Sequence, residues 1–220
     1  MQKIENFFTH LKAWQLFLLM VAIPLVVQFT AMRMVMGTLD SESTPEDAFQ
    51  LFQQLWGTLS GLMAIFMLII LGWFWSCGIE LNRRIDPSNR KKTTLFKTAV
   101  IFPLIYMPFF MVVFSPGPHP PDSFGFTGII TLLHMFSMFC MFYLLYFVSW
   151  SLATVLNQSG QKVRNHSVYF FALWFYPVGI WLVQPKINKI VRDEIAAQAA
   201  ALRAPCHHRT NRGRFIAGTA

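Results

Sequence analysis

Four long apolar runs, at about 14–36, 55–78, 98–114 and 127–156, constrain the fold of this chain more than any other feature. A helix needs about 20 apolar residues to cross the ~30 Å hydrocarbon core of a bilayer. Only 13% of the residues are charged, whereas a soluble domain carries about 25%. The runs therefore predict an all-α integral membrane protein with four transmembrane helices.

The positions of the basic residues predict which way the helices run. The segment between the second and third runs is strongly basic, whereas the one between the first two has four acidic residues and no Lys or Arg beyond Arg33. Cytoplasmic loops of membrane proteins collect Lys and Arg. With both termini in the cytoplasm, every one of the 18 Lys and Arg residues except Arg33 lies on the cytoplasmic side. The sequence thus predicts cytoplasmic N- and C-termini in a bacterial inner membrane or a plasma membrane.

A fifth apolar run, 168–183, is too short for a straightforward crossing. Its sixteen residues would make a helix of about 24 Å, and Pro177 and Gly179 near its centre favour a break there. A crossing would also export seven basic residues: Lys186, Lys189, Arg192, Arg203, Arg209, Arg212 and Arg214. A re-entrant or interfacial segment broken at Pro177 and Gly179 therefore fits better than a fifth span, and a polytopic membrane domain covers residues 1–183.

Residues 184–203 follow the apolar runs with a helical pattern. Pro185 suits the first turn of a helix, and Ile187, Ile190 and Val191 recur near helical spacing. This predicts a cytoplasmic amphipathic helix, which either lies on the anionic leaflet or packs on the protein's own loops. Residues 204–220 have few large hydrophobic side chains and are predicted to be disordered.

The chain has a net charge of +8, which in a soluble protein would suggest nucleic acid. In a membrane protein the same excess marks the cytoplasmic loops, so no nucleic acid is expected. The expected partner of these cations is a bilayer with anionic headgroups. The candidate headgroup-binding residues are Arg83, Arg84, Lys91, Lys92, Lys186 and Lys189.

Small residues in the second run form a helix-packing pattern. Gly57 and Gly61 have GxxxG spacing, and Ala64 follows on nearly the same face. Such residues let two helix backbones approach closely. The contact either joins helices within one chain, which is the commoner use, or joins protomers of a homo-oligomer or a membrane partner protein.

Soft metal ligands in the fourth run are a weak cue for a bound ion, and Cys206, His207 and His208 in the tail are a second. His134 is the only ionisable residue near the centre of a run, and Met138 and Met141 follow on the same helix. Imidazole and thioether groups suit Cu(I), but methionine more often fills irregular gaps between helices. No cofactor is expected.

The pattern of residues indicates no catalytic set, because no nucleophile–base pair or acidic pair lies within a run. The favoured function is therefore a multi-pass membrane protein that acts through helix contacts, as a small accessory or oligomeric pore-type subunit. One alternative is a transporter of a small neutral or soft-metal substrate with His134 in its path. Another is an enzyme acting on lipid headgroups, which would need a polar cluster near Glu80, Arg83 and Arg84.

Overall fold

The computed structural model describes residues 7–8, 11–38, 44–114 and 124–203. In these ranges 87% of the residues are helical and none forms a strand. The tail at 204–220, predicted to be disordered, lies outside them. The helices are α1 (Ala13–Phe17), α2 (Ile23–Thr38), α3 (Pro45–Arg84), α4 (Thr94–Val113), α5 (Phe124–Gln158), α6 (Ser167–Trp174) and α7 (Tyr176–Arg203).

Four helical stretches are long and apolar enough to cross a membrane. They are Ala13–Arg33, Phe49–Arg84, Thr94–Val113 and Thr127–Gln158. Each contains most of one of the four apolar runs. The prediction of an all-helical fold with four helices of membrane-spanning length is confirmed.

A π-helical turn, Leu18–Ala22, joins α1 to α2 and precedes Pro24. Proline lacks an N–H and its ring collides with the carbonyl four residues earlier in an α-helix. Here the N–H of Ile23 donates to the carbonyl of Leu18, five residues earlier, so the turn is wider at this point. The wider turn lets α1, the turn and α2 form one continuous helix through Pro24, called here the first long helix (residues 13–38).

The core lies where α3, α4 and α5 pack against one another and against α6 and α7. Trp73, Phe74 and Leu81 of α3 are almost fully buried. Phe96 of α4 stacks on Phe147 of α5 with ring centroids 4.4 Å apart. A Cβ at Gly78 would lie 2.2 Å from the Phe96 ring, so the absence of a side chain at Gly78 makes room for this stack.

The helix contacts also fix the directions of the chain. Tyr176 contacts Phe66, and eight residues later Gln184 contacts Trp73, so α7 runs in the same direction as α3. The amide of Gln158 at the end of α5 donates to Asp86 just after α3. The N-terminal segment, the loops after α3 and α5, and the end of α7 therefore lie at one end of the bundle.

The helix predicted to begin at Pro185 in fact begins at Tyr176, with Pro185 in its interior. Gln184 and Ile187 on either side of Pro185 are fully buried, and this packing holds the helix together across the proline. The apolar face of α7 is covered by the bundle as far as Val191. Packing on its own chain, not on a leaflet, thus accounts for the apolar pattern up to that residue.

Candidate functional site

Helices α6 and α7 form a hairpin that turns at a single residue, Phe175 (φ −87°, ψ 62°). The N–H of Phe175 donates to the carbonyl of Phe171, and the N–H of Gly179 donates to the carbonyl of Phe175. The break predicted at Pro177 and Gly179 therefore lies earlier in the chain. Pro177 occupies the first turn of α7, where a missing N–H costs nothing, so it favours starting this helix over breaking it.

Gly179 permits the two arms of the hairpin to touch. A Cβ at this position would lie 2.0 Å from the carbonyl oxygen of Ala172 in α6. That oxygen belongs to the backbone and cannot move aside as the end of a side chain could. Gly179 is thus required by the approach of α7 to α6.

The tip of the hairpin contacts its neighbours near their midpoints. Trp174 stacks on Phe142 of α5 at 4.6 Å between ring centroids, and Tyr176 contacts Phe66 of α3 at 5.7 Å. Phe66 lies midway along the apolar stretch Phe49–Arg84, and Phe142 lies midway along Thr127–Gln158. The hairpin therefore reaches about halfway along the bundle before it turns back.

A buried polar cluster ties α7 to the N-terminal segment. The side chain of Gln184 is fully buried and accepts a hydrogen bond of 2.9 Å from the indole N–H of Trp73. Its amide N–H₂ donates to the carbonyls of Phe8 and Leu11 at 3.0 and 2.9 Å. Asn188, one turn later, also donates to the carbonyl of Leu11. Both carbonyls precede Ala13, the first residue of α1, so the cluster ties α7 to the segment before that helix.

The polar cluster that a headgroup enzyme would need is present, but its carboxylate is already occupied. Glu80 is 5% exposed, and each of its oxygens accepts a 2.6 Å hydrogen bond, from Arg83 and from Arg84. Both carboxylate oxygens are therefore already engaged by side chains of the same helix. These ion pairs lie within the last turns of α3. They lend no support to a catalytic role for Glu80.

The remaining headgroup candidates lie at the same end of the bundle. The ammonium group of Lys91 lies 3.9 Å from the centre of the Trp150 ring and also hydrogen-bonds to the hydroxyl of Tyr146. Lys186 lies over the ring of Tyr169. Lys92 and Lys189 are exposed. Among these four cations, Lys92 and Lys189 are therefore the ones that face outward.

The potential metal ligands do not gather into a site. His134 lies beside the rings of Phe110 and Tyr106 at 5.1 and 6.0 Å, and its buried Nδ1 has no hydrogen-bond partner. Met138 is largely exposed and Met141 is half-buried. The described residues contain no cluster of three His, Cys, Asp or Glu side chains that could hold a metal ion. The soft-metal hypothesis gains no support from these contacts.

The glycines of the GxxxG pattern face away from the rest of the chain. A Cβ at Gly57 or Gly61 would meet nothing within 4 Å, and both residues are exposed. Ala64 is half-buried. The two glycines make no helix contact within the described part of this chain, because the other helices pack on a different side of α3. A contact with another chain is the alternative that stays open.

Sequence reasoning did not single out Gly78 or Gln184, and it treated Gly179 as a helix break and not as a point of contact between two helices. Gln184 could have been noticed as an uncharged polar residue at the end of an apolar run. Comparison of the chain with families of known proteins, with curated proteins and with solved structures gives no match. Any proposal about function therefore depends on the contacts described above.

Proposed function

We propose that this protein is a small membrane subunit that acts through helix contacts, associating with a second copy through the outward face of α3. The observation that carries the proposal is the open space at Gly57 and Gly61. At the glycines that touch another part of this chain, Gly72, Gly78 and Gly179, a Cβ would meet a neighbouring atom at van der Waals distance or closer. At Gly57 and Gly61, by contrast, a Cβ would meet no atom of this chain within 4 Å.

The surroundings of these glycines suit a helix partner. Thr58 and Gln54 are exposed beside them on α3, and polar side chains of this kind can hydrogen-bond between helices in a bilayer. The nearby helix α2 covers little of this region, since Val26, Phe29 and Met32 are more than half exposed. A second copy of α3 would bring small residues against small residues along one stripe.

Replacing both Gly57 and Gly61 by isoleucine tests this association. We expect the variant to fold normally, because nothing in its own chain lies within 4 Å, but to lose the oligomer through steric collision of the new side chains. The mass of the protein in nanodiscs, measured by native mass spectrometry, reports the oligomer. Gly128→Ile is the matched control, because that position also has open space but lies on α5.

An oligomer that survives the double substitution would refute this interface. Ion flux into vesicles that contain the protein distinguishes a pore-type oligomer from an accessory subunit. A pore-type oligomer conducts and stops conducting in the double variant, whereas an accessory subunit shows no flux in either case.

The same proposal includes a topology in which the hairpin enters the bilayer from the cytoplasmic side and returns. Supporting it, the hairpin tip contacts the midpoints of α3 and α5, and both of its ends lie at the basic end of the bundle. Exposed Lys92 and Lys189 then face anionic headgroups, at about 1 kcal/mol per cation. The N- and C-termini are cytoplasmic in this topology.

Single cysteines at Asn165 and Asp193 test the topology. Both positions are exposed, and they flank the hairpin. In a background lacking Cys77, Cys140 and Cys206, we expect both to react with an impermeant maleimide only from the cytoplasmic side. A cysteine at Glu46 should react only from the other side. Labelling of position 193 from the Glu46 side would make the segment a fifth span.

A further inference from the structure

A cavity of about 340 Å³ lies between the first long helix, α3 and the hairpin tip. Its size falls within the range of about 300–1,000 Å³ that is typical of small-molecule sites. The π-helical turn forms part of one wall, and such turns occur often at functional sites. The residues that line it include Met20, Pro24, Gln28, Leu62, Phe66 and Tyr176.

Two polar groups in this apolar cavity have no partner. Within the described part of the chain, neither the amide of Gln28 nor the hydroxyl of Tyr176 makes a hydrogen bond. Other polar side chains of these helices do: Thr30 donates to the carbonyl of Val26, and Thr58 donates to that of Gln54. Gln28 is exposed at the mouth of the cavity and Tyr176 is partly buried. An unpaired amide or hydroxyl is costly in hydrocarbon, and both groups can donate a hydrogen bond to a ligand that accepts one.

The depth of these groups narrows the class of ligand. Residue 23 is the midpoint of the apolar stretch Ala13–Arg33, so Gln28 lies about 7–8 Å from that midpoint along the helix. Tyr176 contacts Phe66, at the centre of its own apolar stretch. The ester groups of phospholipids lie near the edge of the hydrocarbon core, about 15 Å from its centre. A phospholipid can fill the cavity with its chain but cannot bring an acceptor to Tyr176.

We propose that this cavity binds a lipophilic carbonyl compound of the quinone class, taken from the interior of the bilayer. The ring lies against the Phe66–Tyr176 aromatic pair, and a ring carbonyl accepts a hydrogen bond from the Tyr176 hydroxyl or from the Gln28 amide. Met20 and Leu62 contact the apolar remainder of the molecule. The inference depends on the membrane orientation of the helices but not on the proposed oligomer.

Photoaffinity labelling tests this site. The protein is reconstituted in phosphatidylcholine nanodiscs, labelled with an azidoquinone, and competed with menadione. We expect saturable labelling on peptides containing Leu62–Phe66 or Tyr176, suppressed by menadione. Removing both donors in the double variant Tyr176→Phe/Gln28→Leu should weaken apparent binding roughly fivefold to tenfold, the equivalent of one lost hydrogen bond. Leu62→Trp, which fills the cavity, should abolish it.

Thr30→Val is the matched control, because Thr30 is an exposed polar residue of the same helix that does not line the cavity, and binding should be unchanged. Non-saturable labelling, labelling that survives Leu62→Trp, or labelling concentrated in the α4–α5 groove around Ile105 would overturn the proposal. So would a cavity that retains phospholipid and admits no menadione. Circular dichroism of each variant shows whether it is folded. Gly57 and Gly61 do not line this cavity. The Gly57→Ile/Gly61→Ile variant should therefore bind the quinone normally even if it no longer forms the oligomer.

Discussion

Replacing Gly179 by valine is expected to destabilise the protein by about 3 kcal/mol or more, because the new side chain would occupy the space of a backbone carbonyl. The Cβ would lie 2.0 Å from the oxygen of Ala172, closer than any such pair can approach. Relief requires α7 to move away from α6, which would expose the buried residues Leu173 and Ile180. Unfolding in mixed micelles of increasing SDS content, followed by circular dichroism, measures the change.

The controls for Gly179 separate a local collision from a general effect of β-branching. Gly179→Ala should also be strongly destabilising, because the collision begins at Cβ. Gly128→Val, which has open space around it, should change stability little. If Gly179→Ala were as stable as the wild-type protein, the close approach of α6 and α7 would be incorrect.

Replacing Gln184 by leucine is expected to cost about 2–4 kcal/mol, because it leaves several buried polar groups unpaired. The indole N–H of Trp73 loses its acceptor, and the carbonyls of Phe8 and Leu11 lose the amide of Gln184 as a donor. Leucine nearly matches the volume of glutamine, so the loss reflects hydrogen bonding and not a cavity. The same SDS titration measures the change.

A second measurement identifies the mechanism. The N-terminal segment should become more accessible in the Gln184 variant, so backbone amides near residue 11 should exchange hydrogen faster. Gln158→Leu is the matched control: its amide hydrogen-bonds to Asp86 in an exposed setting, and a loss of under about 1 kcal/mol is expected. Equal effects of the two substitutions would show that burial at Gln184 is unimportant.

The four long helices could be predicted because the length and apolar composition of a stretch determine whether it is able to span a bilayer. The break in the fifth apolar run could be predicted from its length, but its position could not. Pro177 is compatible both with a break and with the first turn of a helix, and only the contact between Gly179 and Ala172 decides between them.

The glycines illustrate what a single sequence leaves open. Gly57 and Gly61 have the spacing of a packing motif yet face outward, whereas Gly78 has no such partner in sequence and receives Phe96. The role of a glycine depends on which side of its helix the others pack, and that is settled by contacts distant in the chain. The partners of Gln184 were hidden for the same reason, because Leu11 lies 173 residues away.

That separation in sequence has a consequence for biosynthesis. The carbonyls of Phe8 and Leu11 are made before the four long helices, but their donor Gln184 leaves the ribosome only after all four have been made. Until then the first long helix lacks these hydrogen bonds, and its residues beyond the π-helical turn, such as Val26, Phe29 and Met32, are largely uncovered by the rest of the chain. A chain interrupted before α7 therefore lacks the side chains that hold the segment around Leu11, whereas a chain that includes α7 supplies them itself.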